Sequence, residues 1–371
     1  MNLVGNLLFH YQTLRLFNLT NFLLQSDIQQ IVDNLNDVSH DFSGKRILLT
    51  GGRGFLGRYF MEIFNQINIK YLKNKMEVIV LDNLITAGKE GSEIPNYQNI
   101  EFINHDVIKK FKCDKKIDFI IHAAGIASPY YYRAYPLETL KVAIDGTENM
   151  LELAESNSAK LIFFSSSEIY GDPDSKNIPT KESYKGNVSC TGPRACYDES
   201  KRVGETLCNI FHNIKGVRTN TIRPFNVYGP GMQETDYRVL PNFTSRIKAN
   251  IPLQIYGTGN QTRTFCYVTD AMEGFIRVIL NGVPGESYNI GNPNPEISVL
   301  DLIKIMENVS GKPIKYDIVD YPDSYPADEP SRRCPDILKA KIQLSYKPKI
   351  DINEGLKRFI SWSDEVYEGK L

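Results

Sequence analysis

KRILLTGGRGFLGRYF, residues 45–60, is the stretch whose reading decides the fold. Residues 46–50 (RILLT) are a short apolar run with the length and composition of a buried strand. The run passes without a spacer into Gly51-Gly52-Arg53-Gly54-Phe55-Leu56-Gly57, and a helical pattern continues to about Phe64. Strand, glycine-rich turn and helix in that order are the context a dinucleotide-binding fingerprint needs. Gly51 permits the tight turn, Gly54 lets backbone approach a pyrophosphate, and Gly57 lets helix and strand pack closely. The pyrophosphate then meets the free N–H groups of the helix N-terminus, around Phe55 and Leu56.

Outward from this turn, a second apolar run, residues 78–81, ends at Asp82. A carboxylate there can accept from adenosine ribose hydroxyls and repels a 2′-phosphate, which favours NAD over NADP. The alternative is an ordinary acid at a loop entry. Residues 117–121 (IDFII) and 161–164 (LIFF) read as two more strands, with a helix over about 136–155 between them. Alternating strands and helices imply an α/β fold, a Rossmann-type doubly wound parallel sheet with a smaller C-terminal substrate-binding lobe. The expected organisation is a helical extension over 1–44, an NAD-binding domain over 45–235 with a return segment at about 265–292, and a mainly substrate-binding lobe over 236–371. In that lobe, residues 239–248, 270–280 and 298–310 read as helices, the last with Ser298 as N-cap.

Among 371 residues, 43 basic side chains face 44 acidic ones, a net charge of −1. That balance gives no electrostatic case for nucleic acid or an anionic membrane surface. The six cysteines form no CxxC pair and the five histidines no HExxH, so no metal site is expected, and scattered thiols fit a cytoplasmic protein. Residues 1–25 are rich in Leu and Phe but broken by polar residues, so neither a membrane span nor a signal peptide is expected. Residues 26–35 read as an amphipathic helix with Ser26 as N-cap and Ile28, Ile31, Val32 and Leu35 on one face.

The chemistry lies beyond the LIFF strand, which runs into Ser165-Ser166-Ser167-Glu168. Ligands of open α/β sheets bind at the carboxyl ends of strands, so these side chains face the cleft. Tyr197-Asp198-Glu199-Ser200-Lys201 then opens a helix, with Tyr197 and Lys201 on one face. A neighbouring ammonium favours the phenolate, so Tyr197 can take a proton from a sugar hydroxyl while hydride leaves the same carbon. Ser166 can hold that hydroxyl. Alone, such a Tyr–Lys spacing is ordinary helix packing; behind the fingerprint, Asp82 and the serine turn it reads as catalysis.

These residues resemble the extended short-chain dehydrogenases that modify nucleotide sugars, and among them the UDP-glucuronate decarboxylases. The matching segments are LDN (81–83), NHDV (104–107), TLK (139–141), SSSEIYGDP (165–173), GPRACYDESKRVGET (192–206), RPFNVYGPGM (223–232), YGTGNQTRTFCYV (256–268) and RRCPDI (332–337), within about 45–360. The resemblance implies oxidation of the sugar at C4, loss of the C6 carboxylate from the resulting β-keto acid, and return of hydride, with NAD regenerated. It implies catalytic roles for Ser166, Ser167, Glu168, Tyr197, Lys201 and Arg333. It places Lys141, Asn226, Val227, Arg238, Arg263 and Arg333 at the substrate. It adds Asn83, Thr86, Asp106, Val107, Ala123, Ala124, Gly125 and Val142 to the cofactor site. The expected partner is a UDP-sugar, and the expected assembly a homodimer through the helices of 136–155 and 197–213.

Rival readings share the scaffold. A 4,6-dehydratase carries Thr-Asp-Glu where this chain has Ser166-Ser167-Glu168, and Ser167 is a poor general acid. A 4-epimerase needs only the Ser/Tyr/Lys set. A non-catalytic NAD-binding regulator has no use for that set. Three departures from the decarboxylase pattern surround the expected sugar pocket: Val142-Ala143 for Thr-Asn, Gly125 for serine, and Tyr130-Tyr131-Tyr132 for Pro-Asn-Tyr.

Overall fold

A computed structural model describes residues 22–88, 95–320 and 330–369. Seven strands, β1 (Arg46–Thr50), β2 (Glu77–Asp82), β3 (Ile100–Asn104), β4 (Phe119–His122), β5 (Lys160–Phe164), β6 (Arg218–Pro224) and β7 (Ser287–Ile290), form one sheet ordered β7-β6-β5-β4-β1-β2-β3. Every pairing in it is parallel. Side chains alternate between its faces, as the strand period of two requires. Ile47 and Leu49 join a core cluster with Phe60, Phe64 and Phe275, while Leu48 joins Met150, Leu151, Leu161 and Phe211 on the other side. Burial on both faces explains why RILLT and KLIFF are apolar nearly throughout rather than alternating.

The principal helices are α1 (Gln25–Asn34), α2 (Phe55–Lys70), α3 (Pro136–Lys141), α4 (Thr147–Asn157), α5 (Ala195–Lys215), α6 (Val239–Lys248), α7 (Val268–Asn281), α8 (Val299–Ser310) and α9 (Ile352–Val366). The helix expected over 136–155 is α3 and α4 joined by a π turn, Val142–Gly146. Such turns insert an extra residue into the helical ladder and often mark functional sites. This one coincides with the Val142-Ala143 departure.

Helix α1 differs from its sequence reading. Its N-cap is Leu24, with no side-chain cap, and Ser26 lies inside the helix. The apolar face is as expected: Ile28, Ile31, Val32 and Leu35 are all buried. They belong to the main core cluster, so the helix packs within the body and does not merely lean on it. Asp27 is buried, accepting from the Tyr267 hydroxyl at 2.6 Å and from Arg358 Nη1 at 2.9 Å. Trp362 Nε1 donates to the Phe22 carbonyl at 3.1 Å. The reading of residues 1–21 lies outside the described residues.

The C-terminal elements match their expected spans closely. Ser298 caps α8, accepting from Asp301 N at 3.0 Å. The strand pair Leu253–Tyr256 and Tyr316–Val319 and the ladder of Ile297–Ser298, Thr262–Arg263 and Arg332–Arg333 form small sheets apart from the seven-stranded one. Its apolar residues, such as Ile255, Leu302 and Phe359, share the core of the sheet. No helix among the described residues is long and apolar enough to cross a membrane.

Candidate active site

Strand order reverses between β1 and β4, and the crevice at their carboxyl ends is where such sheets take ligands. Gly51 follows β1 directly with φ +72°, and a Cβ there would lie 2.7 Å from Ala124 N and 2.8 Å from the Ala123 carbonyl. At Gly57 a Cβ would sit 2.2 Å from the Gly51 carbonyl oxygen, so this glycine sets the approach of α2. Gly54 is different: its nearest neighbour would be Gly51 O at 3.5 Å, and its φ is an ordinary −73°. The fold itself does not demand glycine there. The room it leaves suits a ligand against the backbone of the α2 N-terminus.

Asp82, at the end of β2, accepts from Arg53 N and Leu84 N, each at 2.8 Å. Burial pushes its carboxyl pKa up, against the pull of these donors and of the Arg53 charge. Each oxygen keeps a second lone pair for a ribose hydroxyl. Thr50 Oγ1 accepts from Ala124 N at 3.1 Å and meets His122 Nδ1 at 2.8 Å, which fixes the two strand ends together. Burial drives the His122 pKa down to about 3, so the ring is neutral.

One cavity of about 220 Å³ brings together Gly51, Gly54, Asp82, Asn83, Thr86, Asp106, Val107, Ala123, Ala124, Gly125 and Val142, with Lys141 at its wall. Phe55, Leu56 and Gly57 do not line it. Phe55 turns edge-on to Tyr59, and Leu56 packs against the core, leaving only backbone to face a ligand. Among the described residues, no group of three His, Cys, Asp or Glu side chains converges as a metal site would require.

Beyond this cavity lies the reaction side. The Tyr197 phenol stands beside Ser166, whose Oγ accepts from Glu168 N at 3.3 Å. Burial raises the phenol pKa, while Ser166, Arg238 and Arg194 pull it down. The expected help from Lys201 is less direct. Its Nζ donates to the Phe164 carbonyl at 2.9 Å and stands 5.8 Å from the Tyr197 ring centroid. Burial lowers its own pKa to about 8. A Cβ at Gly125 would come within 2.9 Å of Lys201 Nζ, the far end of a flexible side chain, so the position borders the lysine without demanding glycine. Tyr132, from the altered tyrosine run, stacks on Tyr197 with centroids 5.1 Å apart and planes at 12°.

Glu168 sits between two guanidiniums. Its Oε1 pairs with Arg333 Nη1 and its Oε2 with Arg194 Nη2. Arg333 also donates to Ser167 Oγ at 3.2 Å. Sequence reading missed Arg194, although it stands three residues before Tyr197 in the quoted motif and N-caps α5. Arg263 is the register partner of Arg333 on the neighbouring short strand. Arg238 is held by Asp236, with Nε at 2.9 Å, and its charge reaches Tyr197. Asn226 has a positive φ of 42° and spends its amide on the Thr264 carbonyl at 2.8 Å. The Val227 side chain is buried in the core, so that residue has only backbone to offer a substrate.

Comparison with known proteins adds to this geometry. The family model described as the NAD dependent epimerase/dehydratase family matches residues 47–291. UDP-glucuronic acid decarboxylase 1 of Arabidopsis thaliana is 40% identical over 317 residues, covering 85% of this chain and 69% of that protein. Among solved structures, an epimerase from Methanothermobacter thermautotrophicus matches with a TM-score of 0.76 at 28% identity, over 91% of this chain and 96% of that one. The UDP-glucuronic acid 4-epimerase of Bacillus cereus, in complex with UDP-glucuronic acid and NAD, matches with a TM-score of 0.71 at 25% identity, over 87% of this chain and 100% of that one.

Proposed function

This chain belongs to the NAD-dependent epimerase/dehydratase family, and from that premise we propose that it decarboxylates UDP-glucuronate through a 4-keto intermediate to a UDP-pentose. The observation that carries the reading is Glu168 held between Arg194 and Arg333, with Ser167 in place of a general acid. Expulsion of a C6 hydroxyl needs a proton donor at that point. Ser167 is a weak acid and already accepts from Arg333, so the position suits a carboxylate better than a leaving hydroxyl.

The cavity residues fit NAD. Gly51, Gly54 and the N–H groups of Phe55 and Leu56 would take the pyrophosphate, and Asp82 and Asn83 the adenosine ribose. Thr86, Asp106, Val107, Ala123, Ala124, Gly125 and Val142 would line the remainder. When bound, NAD serves as acceptor and later donor of the C4 hydride. Tyr197, as phenolate, takes the C4 hydroxyl proton; Ser166 orients that hydroxyl. Lys201, when charged, supports the phenolate. Arg333, with Arg238, Arg263, Lys141 and Asn226 placing the rest of the nucleotide sugar, holds the C6 carboxylate. Once C4 is a ketone, that carboxylate is β to it. The C5–C6 bond breaks, CO₂ leaves, and the electron pair delocalises onto O4, where Ser166 and the now-protonated Tyr197 donate hydrogen bonds; C5 then takes up a proton, in balance the one that left the C4 hydroxyl.

We further propose a homodimer. Leu137 and Ile144 on the α3–π segment and Ile210 and Ile214 on α5 are exposed, at 66, 40, 41 and 78%. A face of this kind on these two helices supports pairing with a second copy, which light scattering tests. The free cysteines support a reducing, cytoplasmic setting.

The deciding experiment is incubation of purified protein with UDP-glucuronate. CO₂ and a UDP-pentose are expected without added reductant. UDP-glucuronate left untouched overturns the reading. Conversion to UDP-galacturonate at unchanged mass would make the protein an epimerase.

A further inference from the structure

Tyr130 and Tyr237 meet face to face at the surface, with ring centroids 5.5 Å apart and planes within 5°. They are 53 and 61% exposed. Tyr130 belongs to the short helix Pro129–Ala134, which follows the cavity residues Ala123, Ala124 and Gly125. Tyr237 precedes α6 and adjoins Arg238, its N-cap. Each is a short step from the reaction side. Tyr132, on the same short helix as Tyr130, is buried against Tyr197. Arg238 acts on the Tyr197 phenol. The stack therefore ties together the two segments that carry Tyr132 and Arg238.

The only other ring packed on this stack among the described residues is Tyr131, edge-on to Tyr130 at 5.1 Å. One exposed aromatic pair shifts an equilibrium by only about two- to tenfold. It can open and close readily, and its state changes how long a bound molecule stays.

We propose that the Tyr130–Tyr237 stack is a clasp across the mouth of the site that determines which product leaves. It parts to admit the nucleotide sugar, then holds the decarboxylated ketone until hydride returns to C4. This rests on the decarboxylase reading. Early opening releases the UDP-4-keto-pentose and CO₂. The hydroxyl proton has then moved to C5, and the C4 hydride stays on the nicotinamide, so the enzyme is left in the reduced form. Closure until reduction releases the UDP-pentose with no net redox change.

The test compares Tyr130→Ala, Tyr237→Ala and Tyr237→Phe with the parent protein, by NMR of the products and by stopped-flow dissociation of UDP bound beforehand as a non-reacting probe. Both alanine variants are expected to raise the ratio of UDP-4-keto-pentose to UDP-pentose, and the UDP release rate, by about two- to tenfold. Tyr237→Phe keeps the ring and should match the parent. Alanine variants with parental melting temperature, product ratio and UDP release overturn the clasp. Absence of CO₂ from the parent overturns the decarboxylase reading instead, and the UDP release rates then still decide whether the clasp exists.

Discussion

On the cofactor side, Gly51, Gly54 and Gly57 lie within one short turn, and what they contribute is the absence of side chains. On the reaction side, Glu168 meets Arg194 and Arg333 across 26 and 165 residues, and what counts there is charge compensated out of water. The first wall is shape made by backbone, and a Cβ is enough to spoil it. The second is a set of long-range side-chain pairs, each tolerable only because its partners are present. Damage to the two walls should therefore differ in kind: loss of fit and cofactor on one side, loss of chemistry or of global stability on the other.

The largest effect should come from Tyr197→Phe. Removing the proposed acid–base group is expected to lower turnover by about 10²- to 10⁴-fold, with NAD retained in the purified protein. A variant that lost NAD along with turnover would break the comparison, because the two walls would then not be separable. Arg194→Met comes next. It leaves Glu168 with Arg333 alone and removes the guanidinium 3.7 Å from the Asp198 carboxylate. Losing one partner of a buried pair costs about 3–5 kcal/mol when the other is left unpaired, and the retained Arg333 puts this variant at or below the low end. Urea unfolding should show it, and a Glu168→Gln, Arg194→Met double variant should lose less than the sum of the singles.

Lys201 gives the same wall a pH signature. Its folded pKa, about 8, lies below the ordinary 10.5, so between those values the folded protein binds fewer protons than the unfolded chain. Stability linked to this group therefore rises with pH across that window, and below pH 8 its full penalty applies. The change is about 3 kcal/mol. Relative to Lys201→Met, the parent protein should gain stability as unfolding is followed from pH 8 to 10; a constant difference would exclude the linkage. Gly51→Ala should be the smallest of the four. A strained positive φ costs on the order of 1–3 kcal/mol, and the Cβ also presses on Ala123 and Ala124. Calorimetry should show weakened NAD binding with the Tyr197 chemistry intact in whatever protein remains loaded.

Legibility in the sequence follows the same division. The glycine turn, Asp82 and four of the seven strands, β1, β2, β4 and β5, were legible because strand, turn and helix lie next to each other in the chain and each residue's reason is local; β3, β6 and β7 went unread. Ser166, Tyr197 and Lys201 were legible as a spacing, but not the electrostatics between them. The lysine is spent on the Phe164 carbonyl, and burial raises the phenol. Arg194 stands in plain sight within GPRAC, yet nothing local tells that its guanidinium reaches back to Glu168. A basic residue three positions before Tyr197 at a helix start was the available signal. Ser26 misled for the opposite reason: a good capping residue was present, but packing of α1 in the core started the helix two residues earlier, with Leu24 as N-cap and Gln25 as its first residue. The π turn at Val142–Gly146 has no periodicity of its own to announce it.

Helix α1 also sets a clock on biosynthesis. Asp27 is among the first described residues to leave the ribosome, and its partner Arg358 lies 331 residues later. At about 5–20 residues per second the helix waits roughly 15 s to 1 min for that arginine. For most of that interval Ile28, Ile31 and Val32 have only the α2 side of their final surroundings, until Tyr267 and α7 follow 240 residues after Asp27. The sheet can assemble around the glycine turn while the chain is still growing, but the last bolt is thrown only after α9 emerges.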